Sequence, residues 1–124
     1  MKIKYSREVA NAIKYNMPIL ALESTILTHG MPYPASLRFA KETVRLCKER
    51  KVVPALVAVI KGIPTIGLEN NQIERLLRGG KLHKISKREL GLAMSMGWSG
   101  GTTVSSTMYL SSCAKIQTFS TGGI

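Results

Sequence analysis

Apolar positions along the chain switch between two spacings, and each switch marks an element. Over residues 6–16, Val9, Ala12 and Ile13 share one face at helical spacing, and Ser6 stands where an N-cap hydroxyl is wanted. Pro18 stops that helix, and the apolar run over residues 18–22 predicts a strand buried on both faces that runs into Glu23. Glycine and prolines after Thr28 predict a loop turning around Met31 and Pro32. Pro34 then suits the first position of a helix over 34–50, whose buried stripe is Leu37, Ala40, Val44 and Cys47. Residues 52–60 are rich in β-branched side chains and predict a second buried strand, followed by a turn at Lys61-Gly62 and a short partner strand over 64–67. A helix over 69–78 stops at Gly79-Gly80, and a brief strand covers 82–85. Ser86 and Glu89 form a capping box for a helix running toward Met96. Trp98 and the glycines after it predict a loop, before a helix over 102–114 and a final strand over 116–120.

Strands alternating with helices predict an α/β fold, a central mixed β-sheet flanked by helices. No repeat, low-complexity tract or internal linker divides the 124 residues, so they form one domain or part of one. A hydrophobic content of 44% is enough for a core. The longest apolar stretch, 52–60, is too short to span a bilayer, and the first residues lack the apolar core of a signal peptide. A cytoplasmic protein without membrane contact is expected. Cys47 and Cys113 lie far apart in apolar patterns and read as reduced core thiols. With two histidines and no aspartate, no metal-ligand cluster is visible.

Charge adds a second candidate. Lys and Arg number 18 against seven acids, all Glu, for a net charge of +11. Such a balance points to polyanions: nucleic acid, anionic membrane or phosphorylated small molecules. Arg38, Lys41, Arg45 and Lys48 recur along one helix face, which is either a nucleic-acid-binding stripe or a solvated surface. No aromatic residues interleave them to stack on bases.

Glu23 is the position most loaded with chemistry. A lone carboxylate ending an apolar strand is either satisfied by neighbouring donors or poised to give up a proton. It stands in Ala21-Leu22-Glu23-Ser24-Thr25-Ile26-Leu27-Thr28-His29-Gly30-Met31-Pro32-Tyr33-Pro34. This stretch resembles the opening motif of the pseudouridine-5'-phosphate glycosidase family, A-L-E-S-T-I-x-x-H-G-M-P-x-P, at every fixed position. The resemblance continues at Val53-Pro54-Ala55, at Lys84-Ile85-Ser86-Lys87-Arg88, at Gly100-Gly101-Thr102-Thr103-Val104 and at Thr121-Gly122-Gly123-Ile124. It covers nearly all of this chain, and this chain corresponds to the N-terminal portion, less than half, of a full family member.

The resemblance implies cleavage of the C–C bond between ribose C1' and uracil C5, giving uracil and ribose 5-phosphate. Carbon is a poor leaving group for carboxylate-pair chemistry, and an imine between a lysine and ring-opened ribose supplies an electron sink. Glu23 falls on the family's proton donor, where burial favours the proton-carrying acid. Lys84 falls on a lysine that binds the substrate phosphoester, and Val104 on a residue that contacts substrate through its backbone. Glycines and threonines before Val104 would offer free N–H groups at a helix N-terminus. His29 belongs to the motif with no role beyond shaping the pocket, and His83 carries no special warrant. Family members use a divalent metal, typically manganese. The imine-forming lysine and the acidic metal ligand match no residue here. Glu89 replaces the usual Asp, and the Trp98 loop departs from the usual small residues. The expectation is therefore a truncated glycosidase fold with no activity of its own. A complementing C-terminal fragment, a homo-oligomer, and a non-catalytic partnership with a full-length homologue are the assemblies to consider.

Overall fold

The computed structural model describes residues 1–123. The elements are β1 (Lys4–Tyr5), α1 (Arg7–Lys14), β2 (Ile19–Leu22), α2 (Thr25–Thr28), α3 (Ala35–Glu49), β3 (Val53–Ile60), β4 (Ile63–Ile66), α4 (Asn70–Arg78), β5 (His83–Ile85), α5 (Leu90–Met96), β6 (Gly100–Thr102), α6 (Val104–Cys113) and β7 (Thr118–Ser120). All seven strands form one mixed sheet, as the alternation of strands and helices predicts.

β3 organises that sheet. Along one edge it pairs antiparallel with β4, which in turn carries β1 in parallel. Along the other edge its first half pairs in parallel with β2, from Val53↔Ile19 to Leu56↔Leu22. Its second half pairs antiparallel with β6, Ala58 opposite Gly101 and Val59 opposite Gly100. β7 continues the sheet beyond β2, and β5 continues it beyond β6, both in parallel.

Side chains of β3 alternate between two cores, as the period of a strand requires. Val53, Ala55, Val57 and Val59 face Val9 and Ala12 of α1, Leu90 and Ala93 of α5, and Leu110 of α6. Leu56 and Ala58 face Leu27 of α2, Ala40 of α3, and Ile73, Leu76 and Leu77 of α4. Helices thus cover both faces, which explains why β3 reads as an unbroken apolar run rather than an alternating one.

Local signals hold in detail at several ends. Ser6 Oγ accepts from Val9 N–H at 3.1 Å and caps α1. Glu69 caps α4, with its own N–H donating to Gln72 Oε1 at 2.8 Å. Other expectations are corrected. β2 is only half-buried at Ile19, Leu20 and Leu22, because its outer neighbour β7 is a three-residue strand with exposed ends. Pro34 is the N-cap of α3, not its first helical residue. Ser86 and Glu89 make half of the expected box. The Ser86 N–H and hydroxyl both donate to Glu89 Oε1, at 3.2 and 2.5 Å, and the helix itself begins at Leu90. Residues 25–28, to which the sequence pattern assigns no element, form a helical turn, and Gly100–Thr102, expected as loop and helix start, form β6.

A candidate active site where two strands converge

β2 runs parallel to β3 and β6 runs against it, so β2 and β6 approach each other carboxyl end first along one edge of β3. Their junction is bonded directly. Ser24 N–H donates to Thr102 O at 3.3 Å, and Thr102 N–H donates to Ser24 Oγ at 2.8 Å. At Val57, between the stretch paired with β2 and the stretch paired with β6, the carbonyl accepts the Thr102 hydroxyl at 2.8 Å. That hydroxyl has a single proton, so its 2.8 Å contact with Thr107 Oγ1 is one in which Thr107 donates. Ser24, Thr102 and Thr107 are all fully buried, and each of their hydroxyls has a hydrogen-bond partner at the seam.

The three candidate residues lie on elements that meet at this seam. Glu23 immediately precedes Ser24, at the end of β2. Val104 is the first residue of α6, and an amide at that position has no acceptor within its own helix. Thr103 N–H donates to Ile85 O at 3.1 Å, and Ser106 Oγ donates to the same carbonyl at 2.6 Å. Those bonds tie the α6 N-terminus to β5, where Lys84 lies in register with Gly101. Lys84 is exposed, while its neighbour Ile85 is fully buried.

Glu23, where burial was expected, is half-buried rather than enclosed. Its Oε1 accepts a hydrogen bond from the Thr121 hydroxyl, 98 positions along the chain. Thr121 Oγ1 also stands 2.9 Å from Gly123 O. Glu23 and Thr121 line a cavity of about 370 Å³ bounded by α2, α3, α4 and the inner strands. Lys84 and Val104 do not line it. Of the three candidates, only Glu23 opens on this cavity. Beside Glu23, the buried Thr25 Oγ1 lacks a hydrogen-bond partner. Thr121 and Thr25 lie inside motifs that the sequence displays, but nothing in their spacing assigns either to Glu23.

The histidines have structural positions. His29 Nε2–H donates to Leu82 O at 3.2 Å, which leaves Nδ1 to accept from the Thr28 hydroxyl at 2.7 Å. The ring pins the end of α2 to the approach of β5. His83 stacks on Trp98 with ring centroids 3.9 Å apart. Among the described residues no group of three His, Cys, Asp or Glu is placed to hold a metal ion. No helix is long and apolar enough to cross a membrane.

The basic stripe of α3 is partly neutralised. Arg45 bonds both Glu42 and Glu49, and Lys48 lies 3.8 Å from Glu8. Arg45 in turn holds the Glu42 carboxyl below its ordinary range, chiefly by direct hydrogen bonding. Burial pushes the Cys47 thiol up, in keeping with an inert core cysteine, whereas Cys113 is exposed at the end of α6, which corrects its reading as a core thiol.

The family model for indigoidine synthase A like protein matches residues 8–124. A pseudouridine-5'-phosphate glycosidase of Rhizobium johnstonii is 47% identical over 124 residues, 100% of this chain and 40% of the relative. The solved indigoidine synthase A-like protein of Thermotoga maritima superposes with a TM-score of 0.86 at 26% identity, over 98% of this chain and 39% of that one. The prealnumycin C-glycosynthase AlnA, solved with ribulose 5-phosphate, gives 0.85 at 33% identity, over 98% of this chain and 39% of its own. The chain spans about two fifths of the length of the curated relatives it matches. The chain belongs to the indigoidine synthase A-like family, among relatives named as pseudouridine-5'-phosphate glycosidases.

Proposed function

We propose that this chain forms the proton-donor and phosphate-contact part of a site that cleaves pseudouridine 5'-phosphate to uracil and ribose 5-phosphate. The observation that carries the proposal is Glu23. It is a carboxyl at the end of β2, braced through one oxygen by Thr121 and open to a cavity bounded by α2, α3 and α4. With Oε1 taken by Thr121, Oε2 is the oxygen left to carry a proton. In the cleavage the C1'–C5 bond breaks and the departing uracil carbon takes up a proton, which is the transfer assigned to Glu23. Lys84 provides a point charge for the phosphate, and the free amide of Val104 a directed donor. The C-glycosynthase with ribulose 5-phosphate supports a phosphorylated sugar as the ligand class.

The imine-forming lysine that the resemblance requires matches none of these 124 residues, and neither does the metal ligand. The chain on its own is therefore proposed to bind ribose 5-phosphate without turning over pseudouridine 5'-phosphate, in a cytoplasmic setting. The test is a uracil-release assay on the purified chain with manganese present, beside Glu23→Ala, together with calorimetric titration of ribose 5-phosphate. Saturable sugar-phosphate binding without uracil release is expected. Release that disappears in Glu23→Ala would show that another lysine of this chain serves as nucleophile. Absence of ribose 5-phosphate binding by the folded chain would remove the substrate-site reading altogether.

A further inference from the structure

A second hollow, of about 290 Å³, lies between the start of α3 and the end of α4. It shares only Leu27 with the cavity beside Glu23. Leu27, Met31, Leu77 and Leu82 give it apolar walls, and no Lys, Arg, Asp or Glu lines it. His29 is its one imidazole, and both ring nitrogens are already bonded, to Thr28 Oγ1 and to Leu82 O. Any charge on a ligand therefore has to be met by the ends of the two helices. Both ends lack caps. Pro34 gives α3 no side-chain cap bond, and the first turn of α3 carries no acid. Ser36 N–H donates to Pro32 O and Arg38 N–H to Pro34 O, while the Ala35 and Leu37 amides have no acceptor among the described residues. That end is positive. At the other helix, Gly79 N–H turns back to Arg75 O and Leu76 O. Gly79 then leaves in an extended conformation, φ −64° and ψ 157°, rather than in the left-handed turn that folds further amides onto the last carbonyls. The Leu77 and Arg78 carbonyls receive no backbone amide among the described residues, so this end is negative.

Ser36 is a separate sign of a ligand. It is 1% exposed, it lines the hollow, and its hydroxyl has no hydrogen-bond partner among the described residues. A buried hydroxyl of that kind calls for a partner that binds there. A lone ion would be costly between walls with no side-chain charge, whereas a molecule with one charge of each sign meets both helix ends. We propose that this hollow binds a small zwitterion, an α-amino acid with an apolar side chain. Its carboxylate accepts from the Ser36 hydroxyl and the free amides of the first turn of α3. Its ammonium donates to the carbonyls that end α4, where Gly79 and Gly80 line the hollow with backbone alone. Its side chain lies against Leu27, Met31, Leu77 and Leu82. The volume falls just under the roughly 300–1,000 Å³ of pockets for drug-sized ligands, which suits a molecule of this smaller class. The site stands apart from the proposed reaction, since Glu23, Lys84 and Val104 do not line it.

L-leucine is the probe, titrated into the purified chain and followed by amide chemical shifts. Saturable shifts confined to residues 33–37 and 77–82 are expected. L-leucinamide, which lacks the carboxylate, and 4-methylpentanoate, which lacks the ammonium, should each bind at least about tenfold more weakly. Ser36→Ala should weaken L-leucine about tenfold, the loss of one hydrogen bond to a charged group. Ser112→Ala, on the exposed side of α6, should leave it unchanged. Thermal melts check that each variant is folded. Should Ser36→Ala unfold the chain, Tyr33→Phe carries the test, since Tyr33 is 44% exposed and brings the other free hydroxyl to the hollow. Equal affinity for L-leucinamide would make the hollow a cation site, and equal affinity for 4-methylpentanoate an anion site; either result overturns the zwitterion. So does the absence of any saturable shift with L-leucine. Binding that Ser36→Ala and Tyr33→Phe both leave intact overturns the placement in this hollow.

Discussion

Gly101→Ala puts the seam between β2 and β6 to the test. A Cβ at Gly101 would collide with Thr28 Oγ1 and lie 3.1 Å from both Ser24 C and Thr25 N. Two of those three are backbone atoms at the start of α2, so no side-chain rotation relieves the contact. α2 has to move away from β6 by several tenths of an ångström. The Ser24 N–H to Thr102 O bond, already 3.3 Å, then passes beyond useful length. Overpacking costs about 1–3 kcal/mol and the lost hydrogen bond about 1 kcal/mol, for roughly 2–4 kcal/mol in all. For a chain of this length that corresponds to a fall in melting temperature of roughly 6–16 °C. Thermal unfolding followed by circular dichroism, with urea midpoints beside it, gives the measurement. Thr28→Ala removes the nearest colliding atom, so the double variant should recover part of the loss beyond additivity. A Gly101→Ala protein melting within about 2 °C of wild type would refute the close approach of α2 to β6, since a shift that small is below about 1 kcal/mol.

Lys84→Ala should weaken ribose 5-phosphate binding roughly 10–100-fold, the loss of one charge-assisted contact, while Lys81→Ala changes it less than about twofold; titration calorimetry decides. Glu89 is held below its ordinary value of 4.5 by the Ser86 hydroxyl first, and then by the Ser86 N–H. A depressed carboxylate stabilises the fold at pH above 4.5, and that contribution disappears as pH falls through the lowered value. Ser86→Ala should therefore destabilise the chain at neutral pH and flatten its loss of stability below pH 4.5, as read by melts across the acid range. If nucleic acid binds the α3 face, only Arg38 and Lys41 of the stripe lie outside the ion pairs found there. Their contribution to the slope of log K against log salt should be no steeper than about −2, and a steeper loss on Arg38→Ala/Lys41→Ala would revive the nucleic-acid reading.

Where side chains themselves face a core, the sequence alone determined the element. The unbroken apolar run of β3 and the stripe of α3 both follow from residues that must leave water. Ser6 and Gly79 mark helix ends because their local chemistry suffices. β6 was decided only in three dimensions. Gly100, Gly101 and Thr102 bring no apolar side chains to announce a strand, and Gly100 and Gly101 serve the fold by having none. A Cβ on Gly100 would strike the His83 backbone, and one on Gly101 would strike α2. α2 likewise hides in Thr-Ile-Leu-Thr, too short for a helical period to show. The site divides the same way. Glu23 is conspicuous in the sequence because a lone carboxylate ending an apolar run must be accounted for. Its brace by Thr121, and the backbone bonds that bring β5 and the α6 N-terminus to the same seam, depend on contacts between residues that are not neighbours in the chain. Local pattern cannot encode such contacts, because only the closing of β2 and β6 along one edge of β3 creates them.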